Sequence, residues 1–348
     1  MRSGFFKQGY AELVVLTDSP AVKAWTAALV LVMVAAPFVL GTYLLSYLTI
    51  ILFTLVGALG LMVLTGFTGL ISLGHVGFLM VGAYAYAIGV TRWGLPPEAA
   101  LLLSAIVPAL FGLIVGVPSL RLHGLYLAIT TLAFAHIMSS VILGGGEFTG
   151  GGSGMVVERP VVLGMSLESD RAFYWFCLAM AVLAVLLVLN LRRSYVGRAL
   201  VAIRDNDIAA RTMGISLVRY KLLAFLVSAA LTGVAGALMG IYMTFISVES
   251  FPFLLSIEAL AIIIVGGIGS VLGAVLGTVF ILILPELFSA LMSAMGGQWA
   301  AGVTTAAHEI KTILYGIAII AFLRFDPRGL RGIWHDFRHA WVFWPLRY

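Results

Sequence analysis

The chain has 348 residues, 62% of them hydrophobic and 10% charged, with a formal net charge of +5 and a mean hydropathy of +1.11. This excludes an ordinary soluble domain and places the chain among polytopic membrane proteins, with room for roughly eight to ten crossings at about 20 residues each. The positive charge sits beside apolar runs rather than in a nucleic-acid patch, and the lone Cys177 rules out a disulfide framework or a cysteine-rich metal site.

The first apolar run, 24–40, is longer than a signal-peptide core and is read as a retained span. Further spans are predicted at 43–64, 76–91, 99–117, 125–143, 172–191, 222–246 and 310–323. Between the last two lies 257–295, an apolar stretch interrupted by GGIGSVLGAVLG from Gly266 to Gly277. The segment 192–221 carries Arg192, Arg193, Arg198, Arg204, Arg211, Arg219 and Lys221, and the tail beyond 323 is basic too. Positive charge is retained on the cytoplasmic side, so both are predicted inside and an even number of crossings must separate them. The stretch 257–295 must therefore cross twice or enter and return. The expected fold is an all-α polytopic membrane protein of about ten helices (range eight to ten), with glycine-broken or re-entrant segments. Its parts are a cytoplasmic N-terminal segment 1–23, a membrane domain 24–323 and a cytoplasmic tail 324–348. Within the domain, 144–171 forms an external loop and 192–221 a cytoplasmic segment.

Gly144 to Gly154 (GGGEFTGGGSG) is too rich in glycine for a stable helix, at about 1 kcal/mol per glycine relative to alanine, and is read as loop. No Gly-Lys-Ser/Thr follows it, so it is not a phosphate cradle. Gly151-Gly152-Ser153-Gly154 matches the GxSG pattern of intramembrane serine proteases. That chemistry needs a histidine base within reach, and the later candidate, His308, lies near a membrane boundary. The protease reading is set aside.

Two segments are broken by glycine. The first, TGFTGLISLGHVGFLMVGAYAY, spaces Gly66, Gly69, Gly74, Gly77 and Gly82 three to five residues apart. Such spacing suits close helix packing or a discontinuous helix that lines a passage. His75 is an ionisable residue within a span, which faces protein or water, either in a passage or satisfied by a neighbouring carbonyl. The second break is Gly266-Gly267-Ile268-Gly269-Ser270. One break in each half points to a substrate route, for which His75, Tyr84, Tyr86, Gly266, Gly267 and Gly269 are the candidates. Glu258 is either a gating or packing carboxylate or a helix-start residue near the outer interface, and the second reading is preferred. The centre of the basic segment, from Gly197 to Ser216, is predicted as a short helix closed near Gly214. Its central acids Asp205 and Asp207 suit protein docking better than a lipid surface.

These residues resemble a known family, the membrane subunits of bacterial ABC importers for branched-chain amino acids, specifically the M-type permease. The matching passages are GLISLGHVGFLMVGAYAYA, GLYLAITTLAFA, FTGGGSGM, GRALVAIRDNDIAARTMGISLVRYKLLAF and IIIVGGIGSVLGAVLG. The resemblance implies that Gly197, Arg198, Arg204, Asp205, Asp207, Ala209, Ala210 and Gly214 form the segment that seats in a groove of an ATPase subunit. Ile208 stands where the general importer motif has an acid, so any acidic role falls to Asp205 or Asp207. It further implies a second related permease subunit in a heterodimer, two ABC ATPase subunits, a periplasmic or external binding protein and a place in the bacterial inner membrane. No enzyme activity, metal, cofactor or nucleic acid is expected on this chain, with ATP used by partner subunits. Urea or short amides are the alternative substrates within the family. A stand-alone secondary transporter or channel is the alternative of another class, and the lack of paired intramembrane carboxylates argues against its being proton-coupled.

Overall fold

The computed structural model describes residues 20–122, 124–162, 164–295, 307–326 and 328–334. The expected N-terminal segment therefore lies outside the described residues up to Pro20, and the expected tail beyond 334 likewise. The described residues form an all-α bundle. Its helices are α1 (Pro20–Val39), α2 (Thr42–Leu61), α3 (His75–Thr91), α4 (Pro97–Ser119), α5 (Leu125–Gly144), α6 (Asp170–Arg193), α7 (Tyr195–Asp205), α8 (Asp207–Thr212), α9 (Leu217–Met243), α10 (Leu254–Gly266), α11 (Val271–Met295) and α12 (Ala307–Phe325). Among the described residues, seven helical stretches are long and apolar enough to cross a membrane, and three shorter apolar helices join them. Each predicted span falls on one of these. The stretch 257–295 divides into α10 and α11 at the glycine break.

α9 is the centre of the bundle, packed against α2, α3 and α4. Glycine allows this closeness. A Cβ on Gly82 of α3 would lie 2.1 Å from the Gly233 carbonyl oxygen, and one on Gly236 of α9 would lie 1.9 Å from that of Leu79. In lipid, where apolar surface gains little by leaving the tails, such small-residue contacts let backbones meet and carry association through van der Waals packing. A second, smaller core joins α10, α11 and α12 around Ile262, Ile281 and Tyr315.

α3 is short for a crossing, with 17 residues, about 26 Å at 1.5 Å per residue against a hydrocarbon core of about 30 Å. The 13 residues of α10, by contrast, are the end of a 19-residue apolar stretch that begins at Val248. α2 ends in a π-turn, Met62–Gly66, and the chain then returns toward the bundle centre before α3 starts. The start of α3 meets the start of α10, where the Val76 amide donates to Ser256 Oγ at 3.0 Å. Thr131 of α5 accepts from the Leu73 amide at 3.0 Å and so holds the returning strand. Glu258 is a packing carboxylate rather than an interfacial helix-start residue. α10 starts at the partly exposed Leu254 and Leu255, but Glu258 in its second turn is 4% exposed, and Tyr315 donates to its Oε2 at 3.2 Å.

The loop after α5 is more ordered than glycine content alone suggests. Gly146–Thr149 forms one helical turn and Gly151–Ser153 a 3-10 turn. The buried Thr149 donates to the Ile142 carbonyl at 2.6 Å. The helix does not propagate, because Gly150 and Gly154 take left-handed φ values of 76° and 71°, which other residues adopt only with strain. Two short antiparallel pairs follow. β1 (Met155–Val156) pairs with β4 (Phe245–Ile246) beyond α9, and β2 (Val161–Val162) pairs with β3 (Met165–Ser166). Loop and α9 end thus meet at one end of the bundle, in keeping with the predicted parity. Ser169 then caps α6, accepting from the Ala172 amide at 3.2 Å, while Arg159 and Asp170 pair at 2.8 Å.

Candidate functional site: a basic helical hook joined to two glycine junctions

The basic segment forms two helices rather than the one expected. Ser194 caps α7 by accepting from the Gly197 amide at 3.2 Å. Asn206 leaves helical geometry at φ −162° and caps α8, accepting from the Ala209 amide at 2.9 Å. An Asn or Ser at such a position satisfies an amide that the first turn leaves open. The Asn206 cap was legible as a polar residue ahead of Asp207-Ile208-Ala209, and it is what splits the helix. Asp207 follows at the first position of α8, where negative charge is favoured by the helix dipole. Gly214 ends the segment in a left-handed turn at φ 84°.

The segment has an anchored side and an open side. Ala199, Leu200, Ile203 and Ala210 are buried, and Gly197 is packed so tightly that a Cβ would lie 2.2 Å from the Leu191 carbonyl oxygen. Ile208 and Met213 are 74% and 83% exposed, with Ala209 and Asp205 also exposed. Arg198 turns back to donate to the Arg193 carbonyl at 2.9 Å.

Arg204 connects the two sets of predicted residues. Its Nη1 donates to the Gly66 carbonyl at 2.7 Å, at the end of α2. Gly66 in turn lies against Gly269, since a Cβ added to it would sit 2.9 Å from the Gly269 nitrogen. The two glycine breaks, distant in sequence, touch each other directly beneath α7. Gly266 packs on Gly273 of α11, with an added Cβ 2.0 Å from that carbonyl oxygen. Gly267 packs on Arg328, at 2.5 Å from its carbonyl oxygen by the same construction.

The other predicted passage residues lie along α3. His75, 4% exposed, has Nδ1 3.4 Å from Thr232 Oγ1 of α9, and Gly57 of α2 leaves room for its ring. It borders a cavity of about 190 Å³ whose walls include Phe53, Gly57, Leu79, Met239 and Glu258. A dry apolar cavity of about 150 Å³ admits benzene, so this one has the size for a small apolar side chain. Tyr84 and Tyr86 are buried further along α3 and do not line it. The Tyr84 hydroxyl has no hydrogen-bond partner among the described residues. Ser153 sits in the 3-10 turn of the loop rather than at the start of a spanning helix. Among the described residues no cluster of three His, Cys, Asp or Glu side chains could hold a metal ion.

One residue passed over in the sequence is His136. It is exposed in the middle of α5, on the same side as Ile137 and Ser140. An ionisable residue at mid-span was the available signal, obscured by the apolar residues around it.

Residues 43–323 match the model of the branched-chain amino acid transport system permease component. The high-affinity branched-chain amino acid transport system permease proteins LivM of Salmonella typhimurium and Escherichia coli are each 35% identical over 272 residues. The aligned region is 71% of this chain and 64% of each of those proteins. A probable branched-chain amino acid transport permease protein LivM of Methanocaldococcus jannaschii is 25% identical over 247 residues, 66% of this chain and 68% of that protein. No solved structure matches. With the family model spanning both glycine junctions, the basic α7–α8 segment and nearly the whole bundle, the chain belongs to the branched-chain amino acid transport permease family.

Proposed function

We propose that this chain is a membrane-spanning permease subunit of an ATP-driven importer for branched-chain or other apolar amino acids. It works with a second, related permease, two ABC ATPase subunits and an external binding protein. The observation that carries the reading is the capped α7–α8 hook. Its buried side fixes it to the bundle, while Ile208 and Met213 stand out from it at 74% and 83% exposure. Large apolar side chains on a segment that leaves the bundle suit a protein partner. The sequence has no Gly-Lys-Ser/Thr phosphate loop, so ATP is used by that partner. The positive-inside rule puts the hook and both termini in the cytoplasm and 144–171 outside.

The cavity beside His75 is the proposed passage. The start of α3 meets α10 beside this cavity, glycine-interrupted segments of this kind are where transporters hold substrate, and the largely apolar walls suit an aliphatic side chain. The relatives' names support amino acids over urea or amides. On α5, His136 and Ser140 support contact with the second permease, because an ionisable residue at mid-span is costly against lipid.

The test is co-purification and uptake. Ile208→Asp with Met213→Asp is expected to lose the ATPase subunits while the chain stays folded, and to abolish leucine uptake in the reconstituted complex. Uptake driven by an ion gradient without any ATPase subunit would instead make the chain a secondary transporter. In a strain lacking only this chain, the loss of leucine uptake rather than urea or acetamide uptake identifies the substrate class.

A further inference from the structure

We infer that Arg204 is a positioning residue that acts inward, holding the two glycine junctions in register with the coupling segment, rather than a contact to the ATPase. The inference rests on the transport reading above. Arg204 lies at the end of α7, and its guanidinium Nη1 donates to the Gly66 carbonyl at 2.7 Å. That carbonyl is at the C-terminal end of α2, where the last C=O groups have no partner within the helix and the dipole is negative. A guanidinium there makes a charge-assisted bond, stronger than a neutral one.

The same side chain touches the second junction. A Cβ on Gly269 would lie 2.6 Å from Arg204 Nη1 and 2.9 Å from the Gly66 carbonyl oxygen, and one on Gly69 would lie 3.4 Å from Arg204 Cγ. One side chain thus meets the backbone of both broken segments at the point where they meet each other.

Each junction leads to a further part of the bundle. From Gly66 the chain passes through Gly74 to His75 and the cavity wall. From Gly269 it passes into α11, and its neighbour Gly267 is covered by the backbone of Arg328. A shift of the hook carries Arg204 with it and changes both junctions together. Neither junction has a side chain of its own at Gly66 or Gly269, so the arginine is what transmits the shift. A contiguous hydrogen-bonded link of this kind is the physical requirement for coupling two sites.

The measurement is the number of ATP molecules hydrolysed per amino acid transported, in the reconstituted complex with its binding protein. Arg204→Ala is expected to raise that ratio about tenfold, within the usual range of coupling between sites. Arg204→Lys keeps the charge but not the planar fork, and is expected to fall between. Gly269→Ala, at φ 80° and with its Cβ against both the guanidinium and the Gly66 carbonyl oxygen, disturbs the junction while leaving the arginine in place. It is expected to raise the ratio as well, with the assembled complex still recovered. Ratios at the wild-type value in Arg204→Ala and Gly269→Ala would overturn the inference. So would loss of the ATPase subunits from Arg204→Ala, because that would make the arginine a docking residue. Absence of ATP-dependent uptake by the wild-type complex would refute the transport reading itself and this inference with it.

Discussion

Replacing Gly236 with alanine tests whether close backbone approach holds the centre of the bundle. The added Cβ would lie 1.9 Å from the Leu79 carbonyl oxygen and 2.7 Å from its carbon, both backbone atoms that cannot rotate aside. Ordinary contact begins at 3.4 Å, so α3 must retreat from α9 by about 1.5 Å, and overpacking of this kind costs about 1–3 kcal/mol. Alanine recovers up to about 1 kcal/mol of helix propensity, leaving a net loss of about 0–3 kcal/mol, toward the upper end because the atoms struck are backbone. Gly316 of α12 supplies the contrast, since nothing lies within 4 Å of its Cβ position. Gly316→Ala should keep only the propensity gain. Thermal unfolding of the purified chain in one detergent should therefore move in opposite directions for the two variants. A Gly236→Ala midpoint at or above wild type would refute glycine-mediated packing of α3 on α9.

Two further perturbations probe what surrounds that contact. Ser256→Ala leaves the buried Val76 amide without its 3.0 Å acceptor, at a cost of about 1–3 kcal/mol, and hydrogen exchange at the start of α3 should quicken while that of α4 does not. Gly154→Ala puts a Cβ 2.5 Å from the Ile246 carbonyl oxygen at a residue with φ 71°, so exchange should rise across β1 and β4. Unchanged protection there would mean that the loop is not held by this pairing.

Much of the architecture was legible because lipid enforces it. A backbone in hydrocarbon must satisfy its own hydrogen bonds, so apolar runs such as 99–117 and 172–191 could only be helices, and the charge at 192–221 fixed the parity that splits 257–295. Capping residues were legible in principle, although Asn206 was read as a polar position and not as the break between α7 and α8. The glycine-rich segment is a loop as expected, but its order was not legible, because propensity describes an isolated chain whereas the Thr149 bond to Ile142 and the pairing with β4 fix that loop. Of the two readings of Glu258, the packing carboxylate is the one that fits its burial, and the sequence did not favour it because the partner Tyr315 lies 57 positions away.

By itself the sequence determined that this is a polytopic all-α membrane protein, which segments are the candidate spans, and that glycine interrupts two of them. It also singled out Arg204, Gly66 and Gly269, but as members of separate features. Only the tertiary structure decided that these three meet. Hydropathy and charge act along the chain and report each segment's solvent, whereas the contact of Arg204 with Gly66 spans 138 positions and exists only once α2, α7 and α11 have packed together.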